Sequence, residues 1–327
     1  MRLHTAKVVK FIERHDLFIL TTHDPADADG LGAQLVLACI LREKNKKFRI
    51  INASAIPQSF RYMDPYKIVE QWDPKKHGRL LKQAGLFILD TADDQTIGQM
   101  KEITSKVKEV FVIDHHEPKQ NAVYNGLTDP SAASACELTI VLAEALGVTL
   151  DMQTAFAAYI GIAYDTGFFA YPKTGPRTLR SALMLLKMGV NPTDVYEKLH
   201  GSASLGALIL QKKAMSSMTL HCKNRVAVQI LRHKDFTEAG ALQDETNGFV
   251  SFPLKAKNIV VSLLIKESPD GKLRCSLRSK GTLNVARISQ ELNGGGHVNA
   301  SGFKSDLNIE QTLAIALKKI AGHLDTT

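Results

Sequence analysis

The stretch LFILTTHDPADADGLGAQLVLACILREK, residues 17–44, decides the fold class. Its first six residues form an apolar, β-rich run that reads as a strand, and from Leu31 the apolar spacing is that of a helix. The loop between them places His23, Asp24, Asp27 and Asp29 close together. Aspartates often cap helices or sit in solvated turns. Carboxylates this close repel one another unless something positive lies among them. Working outward, short apolar runs recur in FRIINAS (48–54), at 86–89 within AGLFILDTAD, and at 109–113 within VKEVFVIDHHE. Helical patterns follow in SACELTIVLAEALG and DMQTAFAAYIGIAYD. The alternation predicts an α/β fold, a parallel sheet with helices on both faces.

The acids fall at the ends of these strands. The His23–Asp29 group follows the first, Asp90 ends the third, and Asp114, His115 and His116 end the fourth. Open α/β sheets bind ligands beyond the carboxyl ends of their strands, so separate segments deliver these groups to one edge. Carboxylate and imidazole without thiolate suit a hard or borderline divalent ion. Asp27 and Asp29 can each reach a different ion, and Asp90 can bridge two with its two oxygens. The rings of adjacent His115 and His116 are not expected to bind the same ion. Asp165, in AYDTGFF, is a further candidate. Paired cations would neutralise the acids, activate water and clamp a phosphoryl group. Asp24, Asp93 and Asp94 read as solvated.

The 327 residues, 44% hydrophobic and 23% charged, allow one large domain or two ordinary ones. No apolar run approaches the roughly 18 residues of a membrane span. The start, MRLHTAKVVKFIERHD, lacks the continuous apolar core of a secretory signal. Cys39, Cys136, Cys222 and Cys275 are scattered, which suits reduced thiols and a cytoplasmic setting. The net charge of +8 fits an anionic partner such as a nucleotide. The pattern turns helical over 178–217, and new strands follow in RVAVQIL, NIVVSLLIKE and KLRCSLRS. The expected division is a catalytic domain at 1–195, a helical linker at 196–220 and a smaller α/β substrate domain at 221–327. The last carries 15 Lys and Arg against 10 Asp and Glu.

HDPADADGLG, Asp90 in LDTAD, DHH at 114–116, and Asp165 in DTGFF together resemble the DHH phosphoesterase superfamily. Within it the chain resembles the bacterial oligoribonuclease (nanoRNase)/pAp-phosphatase branch, a two-domain family. LRSKGTLNVARISQELNGGGHVNASG (277–302) resembles the associated C-terminal substrate domain through GGGH at 294–297. Ala26 departs from the proline common in close relatives, which removes no candidate ligand. The resemblance implies one manganese ion on His23, Asp27 and Asp90, and a second on Asp29, Asp90, His115 and Asp165, with magnesium or cobalt as substitutes. It further implies that Asp114 orients His115 and that His116 contacts the scissile phosphate or assists the leaving group. A homodimer is implied as well.

In the C-terminal region, Gly295 and Gly296 would let main-chain amides approach an anion. His297 adds a side chain, and Arg278, with Ser279 next to it in SLRS, offers a fork suited to phosphate. Facing the metal site across a cleft, this patch would hold a very short RNA or a linear dinucleotide such as pApA. Cleavage to mononucleotides is the expected activity, with pAp dephosphorylation beside it. Few aromatics lie near these motifs, Phe303 being the nearest, so no extended base-stacking platform is expected. The alternatives are a cyclic-dinucleotide phosphodiesterase and an inorganic pyrophosphatase or exopolyphosphatase. GGGH favours nucleotides over pyrophosphate, and no membrane or sensory segment precedes the module.

Overall fold

The computed structural model describes residues 2–117, 124–201, 203–246 and 248–324. The chain divides into two compact units, residues 1–202 and 203–327.

In the first unit, helix α1 (Arg2–Arg14) leads into strand β1 (Leu17–Thr22), helix α2 (Ala28–Glu43) and strand β2 (Lys47–Asn52). Strand β3 (Val69–Gln71), a four-residue helix α3 (Pro74–His77), β4 (Ala84–Leu89), β5 (Glu109–Asp114) and β6 (Asn125–Thr128) follow. Helices α4 (Ala135–Ala145), α5 (Met152–Asp165), α6 (Pro176–Lys187) and α7 (Pro192–His200) complete it. The six strands run parallel in the order β3-β2-β1-β4-β5-β6. Chain order therefore reverses at β1, and the crevice of such a sheet opens beyond β1 and β4.

Strand alternation divides the core in two. Phe18, Leu20, Phe87, Leu89, Phe111 and Ile113 pack beneath α1, α2, α4 and α5. Ile19, Leu86, Ile88, Val110 and Val112 face the other way and meet Leu81, Ile97, Met100 and Ile103. Leu81, Met100 and Ile103 come from short 3₁₀ turns and Ile97 immediately precedes one, so the second face is covered by turns and not by long helices. Strands β3 and β6 escape a search for apolar runs because they read VEQ and NGLT at the sheet edges.

The second unit begins with helix α8 (Leu205–Ser216) and strands β7 (Thr219–His221) and β8 (Val226–Leu231). Helix α9 (His233–Ala239), β9 (Val261–Glu267), β10 (Leu273–Ser279), α10 (Val285–Gln290), β11 (Gly295–His297), β12 (Ala300–Ser305) and α11 (Ile309–Leu324) follow. Its sheet, in the order β11-β12-β10-β9-β8-β7, is antiparallel except for the β8–β9 pair. Leu273, Cys275 and Leu277 pack towards α10 and α11, while Leu231 and Leu264 pack towards α8 and α9. The stretch expected to link the units supplies Leu210 and Ala214 to this second core. The four cysteines are free thiols, and among the described residues no helix is long and apolar enough to cross a membrane.

Candidate metal centre

The carboxyl ends of β1, β4 and β5 and the C-terminus of α5 bring six side chains together. Asp27 caps α2, its Oδ1 accepting from the amides of Asp29 and Gly30 at 3.0 Å each. Thr22 Oγ1 donates to Leu89 O over 2.9 Å, lacing β1 to β4 where the loop leaves. A Cβ on Gly30 would stand 2.2 Å from that hydroxyl, so only glycine lets α2 start this close to β1. The α2 start then carries Asp29 inward to full burial. Asp29 meets the first turn of α4, where Ala135 N donates to Oδ2 over 2.6 Å and Cys136 N to Oδ1 over 2.9 Å. A helix N-terminus is a favourable seat for a buried carboxylate.

Asp90 occupies the centre. It follows β4 at φ +61, a left-handed conformation that aspartate tolerates better than most residues. Its amide donates to Ile113 O over 2.9 Å, which keeps it tied to β5. Its Oδ2 lies 3.4 Å from His23 Nε2, which is also 3.4 Å from Asp27 Oδ1. Its Oδ1 lies 3.2 Å from His115 Nε2, which is 3.1 Å from Asp165 Oδ2 and 3.9 Å from Asp29 Oδ2.

Burial opposes a charge on His23, but Asp27 and Asp90 outweigh it and hold its pKa well above the usual imidazole value. His115 behaves likewise, with Asp165 and Asp90 outweighing burial. Burial and the neighbouring acids Asp90 and Asp165 push the Asp29 carboxyl up, and burial raises Asp165 too. Asp90, which burial alone would raise, is held far below the carboxylate range by His115 and His23.

The donor set fits divalent ions. His23, Asp27 and Asp90 place one ligand atom each within 4.8 Å of one another, and so do Asp29, His115 and Asp165. Among the described residues, Asp90 Oδ1 and both ring nitrogens of His115 are buried without a hydrogen bond, although Nε2 is within ion-pair distance of three carboxylates. Atoms about 3 Å apart that converge without pointing at each other are what neighbouring ligands on one ion, each about 2.1 Å from it, look like. All are oxygen or imidazole nitrogen.

Asp114 departs from expectation. It was expected to orient His115, but its Oδ1 lies 2.6 Å from His116 Nδ1 and also accepts from the His116 amide. The adjacent His115 ring instead turns toward Asp90 and Asp165, with ring centroids 4.4 Å apart. Sequence reading also missed the support around Asp29. Ser134 Oγ accepts from Glu137 N, and the buried Glu137 carboxylate accepts from Thr178 Oγ1 (2.6 Å) and from Arg177, which reaches on to Asp129. The S-x-x-E spacing of Ser134 and Glu137 is a helix-start signal that would have located it. Lys173 Nζ, likewise missed, donates to the main-chain oxygen of His115 over 3.1 Å.

In the second unit, Arg278 Nη1 donates to Leu277 O over 2.9 Å. Ser279 is buried; its hydroxyl donates to Leu283 O and accepts from Asn299 Nδ2. Cβ atoms on Gly294 and Gly296 would press into Gly302 O (2.1 Å) and Ala300 O (2.5 Å), so those glycines let β11 lie on β12. Gly295 alone faces open space. His297 lies in β11, but its side chain is outside the described residues.

A doubly wound sheet with an acid-imidazole cluster on its carboxyl edge is an arrangement that can hold divalent ions for phosphoryl chemistry. Residues 17–162 match the DHH family, N-terminal domain, and residues 223–322 match the DHHA1 domain. The chain belongs to the DHH family. It is 29% identical over 327 residues to the bifunctional oligoribonuclease and PAP phosphatase NrnA of Thermus thermophilus, covering 99% of this chain and 94% of that one. It is 26% identical to the protein of the same name from Bacillus subtilis, covering 90% and 91%. The crystal structure of an exopolyphosphatase-related protein from Bacteroides fragilis superposes with a TM-score of 0.90 at 25% identity, covering 99% and 98%.

Proposed function

We propose that this protein is a manganese-dependent phosphodiesterase that cuts very short oligoribonucleotides and linear dinucleotides such as pApA to mononucleotides, and also dephosphorylates pAp. His23, Asp27 and Asp90 would hold one ion, and Asp29, Asp90, His115 and Asp165 the other. When bound, paired divalent ions acidify water and offset charge on a phosphoryl group. The chain's own residues then have separate tasks. Asp90, with Oδ2 beside His23 and Oδ1 beside His115, would offer one oxygen to each ion. Asp29, held by the α4 amides, does not swing. Asp114 holds His116 by Nδ1, and the ring would meet the scissile phosphate or protonate the leaving oxygen. In the second unit, Arg278, the main-chain amides at Gly295 and Gly296, and His297 would take the remaining phosphate charge, with Ser279 shaping the turn beside them.

The observation that carries the proposal is the convergence of buried Asp90 and His115 atoms that form no hydrogen bonds with each other. The names of the Thermus thermophilus and Bacillus subtilis relatives support the substrate class. A cyclic-dinucleotide activity has weaker support, from the cyclic-di-AMP phosphodiesterase GdpP of Bacillus subtilis, which is 23% identical and of which this chain spans 46%.

The test supplies 5′-labelled pApA with manganese, alongside pAp, cyclic di-AMP and pyrophosphate. Labelled mononucleotide is expected from the wild type and not from Asp90→Asn. Turnover of cyclic di-AMP or pyrophosphate alone would overturn the proposal.

A further inference from the structure

The loop after α5 leaves and returns to the same residue. Asp165 Oδ2 stands 3.1 Å from His115 Nε2, and eight residues later Lys173 Nζ donates to His115 O over 3.1 Å. Between these anchors, Phe168 and Phe169 sit at φ +56 and +64. That conformation is costly for bulky side chains and persists only where the surroundings impose it, commonly beside a functional site. Thr166 imposes it here. Its Oγ1 accepts from Phe169 N at 3.0 Å, and its carbonyl accepts from the amides of Ala170 and Tyr171 at 2.9 Å each.

The strained turn delivers the Phe168 ring to α7. Its centroid lies 5.2 Å from that of Tyr196 and 5.4 Å from that of His200, which are 4.8 Å from each other. Tyr196 and His200 stand four residues apart on one face of α7, and both are exposed, Tyr196 by 54%. Phe168 is half-buried against the core and so holds the group in place. Three residues of chain span at most about 11 Å, which keeps this ring cluster close to Asp165.

We propose that Phe168, Tyr196 and His200 form a shelf on which one nucleobase of the substrate stacks while its phosphate lies at the Asp165 end of the loop. The proposal rests on the phosphodiesterase function above and adds a base-binding subsite to it. Stacking accepts any base, because every base has a π face, and so suits an enzyme that degrades without reading sequence. The rings converge from segments about thirty residues apart, which is why no platform was visible along the chain.

The test compares pApA with an analogue lacking one base, for the wild type, Tyr196→Ala, His200→Ala and Tyr196→Phe, with exposed Tyr66→Ala as a control. Expected is a KM for pApA raised at least about tenfold by the two alanine variants. The rise should be much smaller for the baseless analogue, Tyr196→Phe should restore binding, and Tyr66→Ala should match the wild type. Equal losses on both substrates, or no change in KM for pApA, would overturn the shelf. Stacking is read separately, without turnover, by quenching of a 2-aminopurine dinucleotide titrated into the full-length protein. Quenching that Tyr196→Ala abolishes supports the shelf even if wild-type enzyme cuts none of the substrates, which would overturn only the phosphodiesterase function. Quenching equal in both proteins overturns the shelf alone.

Discussion

At Asp90 one carboxylate serves two neighbourhoods, with Oδ2 toward His23 and Oδ1 toward His115. An amide there keeps the shape but puts an NH2 group in place of one oxygen and leaves the other a neutral carbonyl, so one neighbourhood loses its ligand oxygen and both lose the negative charge. Asp90→Asn is therefore expected to weaken manganese binding at least about a hundredfold, more than loss of a supporting partner usually costs. Calorimetric titration checks this, and near-wild-type affinity would refute the bridging role. Protonation adds a second consequence. The surrounding carboxylates keep His23 and His115 protonated above the usual imidazole range, while an ion needs them neutral. Binding should thus release protons, and affinity should fall as pH falls through those raised values. Titrations in buffers of different ionisation enthalpy would report the release; heats independent of the buffer would contradict it. The six candidate ligands were legible in sequence because each lies at the end of a strand or at one end of a helix that its apolar pattern betrays. The partner of Asp114 was not, since whether His115 or His116 turns toward it depends on ring orientation, which adjacent residues do not encode.

Elements were legible in proportion to how apolar they are. β1, β4 and β5 stand out as buried runs, whereas β3 and β6, short and polar, take their structure from the neighbours they pair with. The Asp29 support was hidden for a related reason: Ala135 and Cys136 act through main-chain amides, which leave no mark on residue type. In the second unit β9 carries a cost that a measurement can expose. Burial and its cross-strand neighbour Arg274 bring the Lys266 pKa down to about 8, with Asp244 acting the other way. Between about pH 8 and the unfolded value near 10.5 the unfolded chain holds the extra proton, so stability rises with pH. Lys266→Met should remove that rise and add up to about 3 kcal/mol near neutral pH, less what is lost with the Lys266 bonds to Thr246 and Gln243. Denaturant titrations across that range decide it, and an unchanged slope would refute the assignment.

For the whole molecule, each unit has its own core, and every candidate ion ligand belongs to the first. Manganese at a hundred times its Kd should stabilise that unit by about 2.7 kcal/mol, a shift on the order of 5–10 °C. Scanning calorimetry should show one transition that moves with manganese and returns with chelator, and another that moves only with Lys266→Met. Equal movement of both on adding manganese would argue against a centre confined to residues 1–202. The centre is also lopsided. The side chains of Asp29, Asp90 and His115 are 6% exposed or less, whereas those of His23, Asp27, Asp165 and His116 are 22–27% exposed. Among the described residues, the partly open side chains mark the doorway: ions, water and the phosphate to be cut would enter past them, against a rear wall fastened to main chain. Because His23, Asp27 and Asp165 are candidate ligands as well as the doorway, a change there should alter both how the centre fills and how firmly it holds, whereas a change in the wall should alter the holding alone.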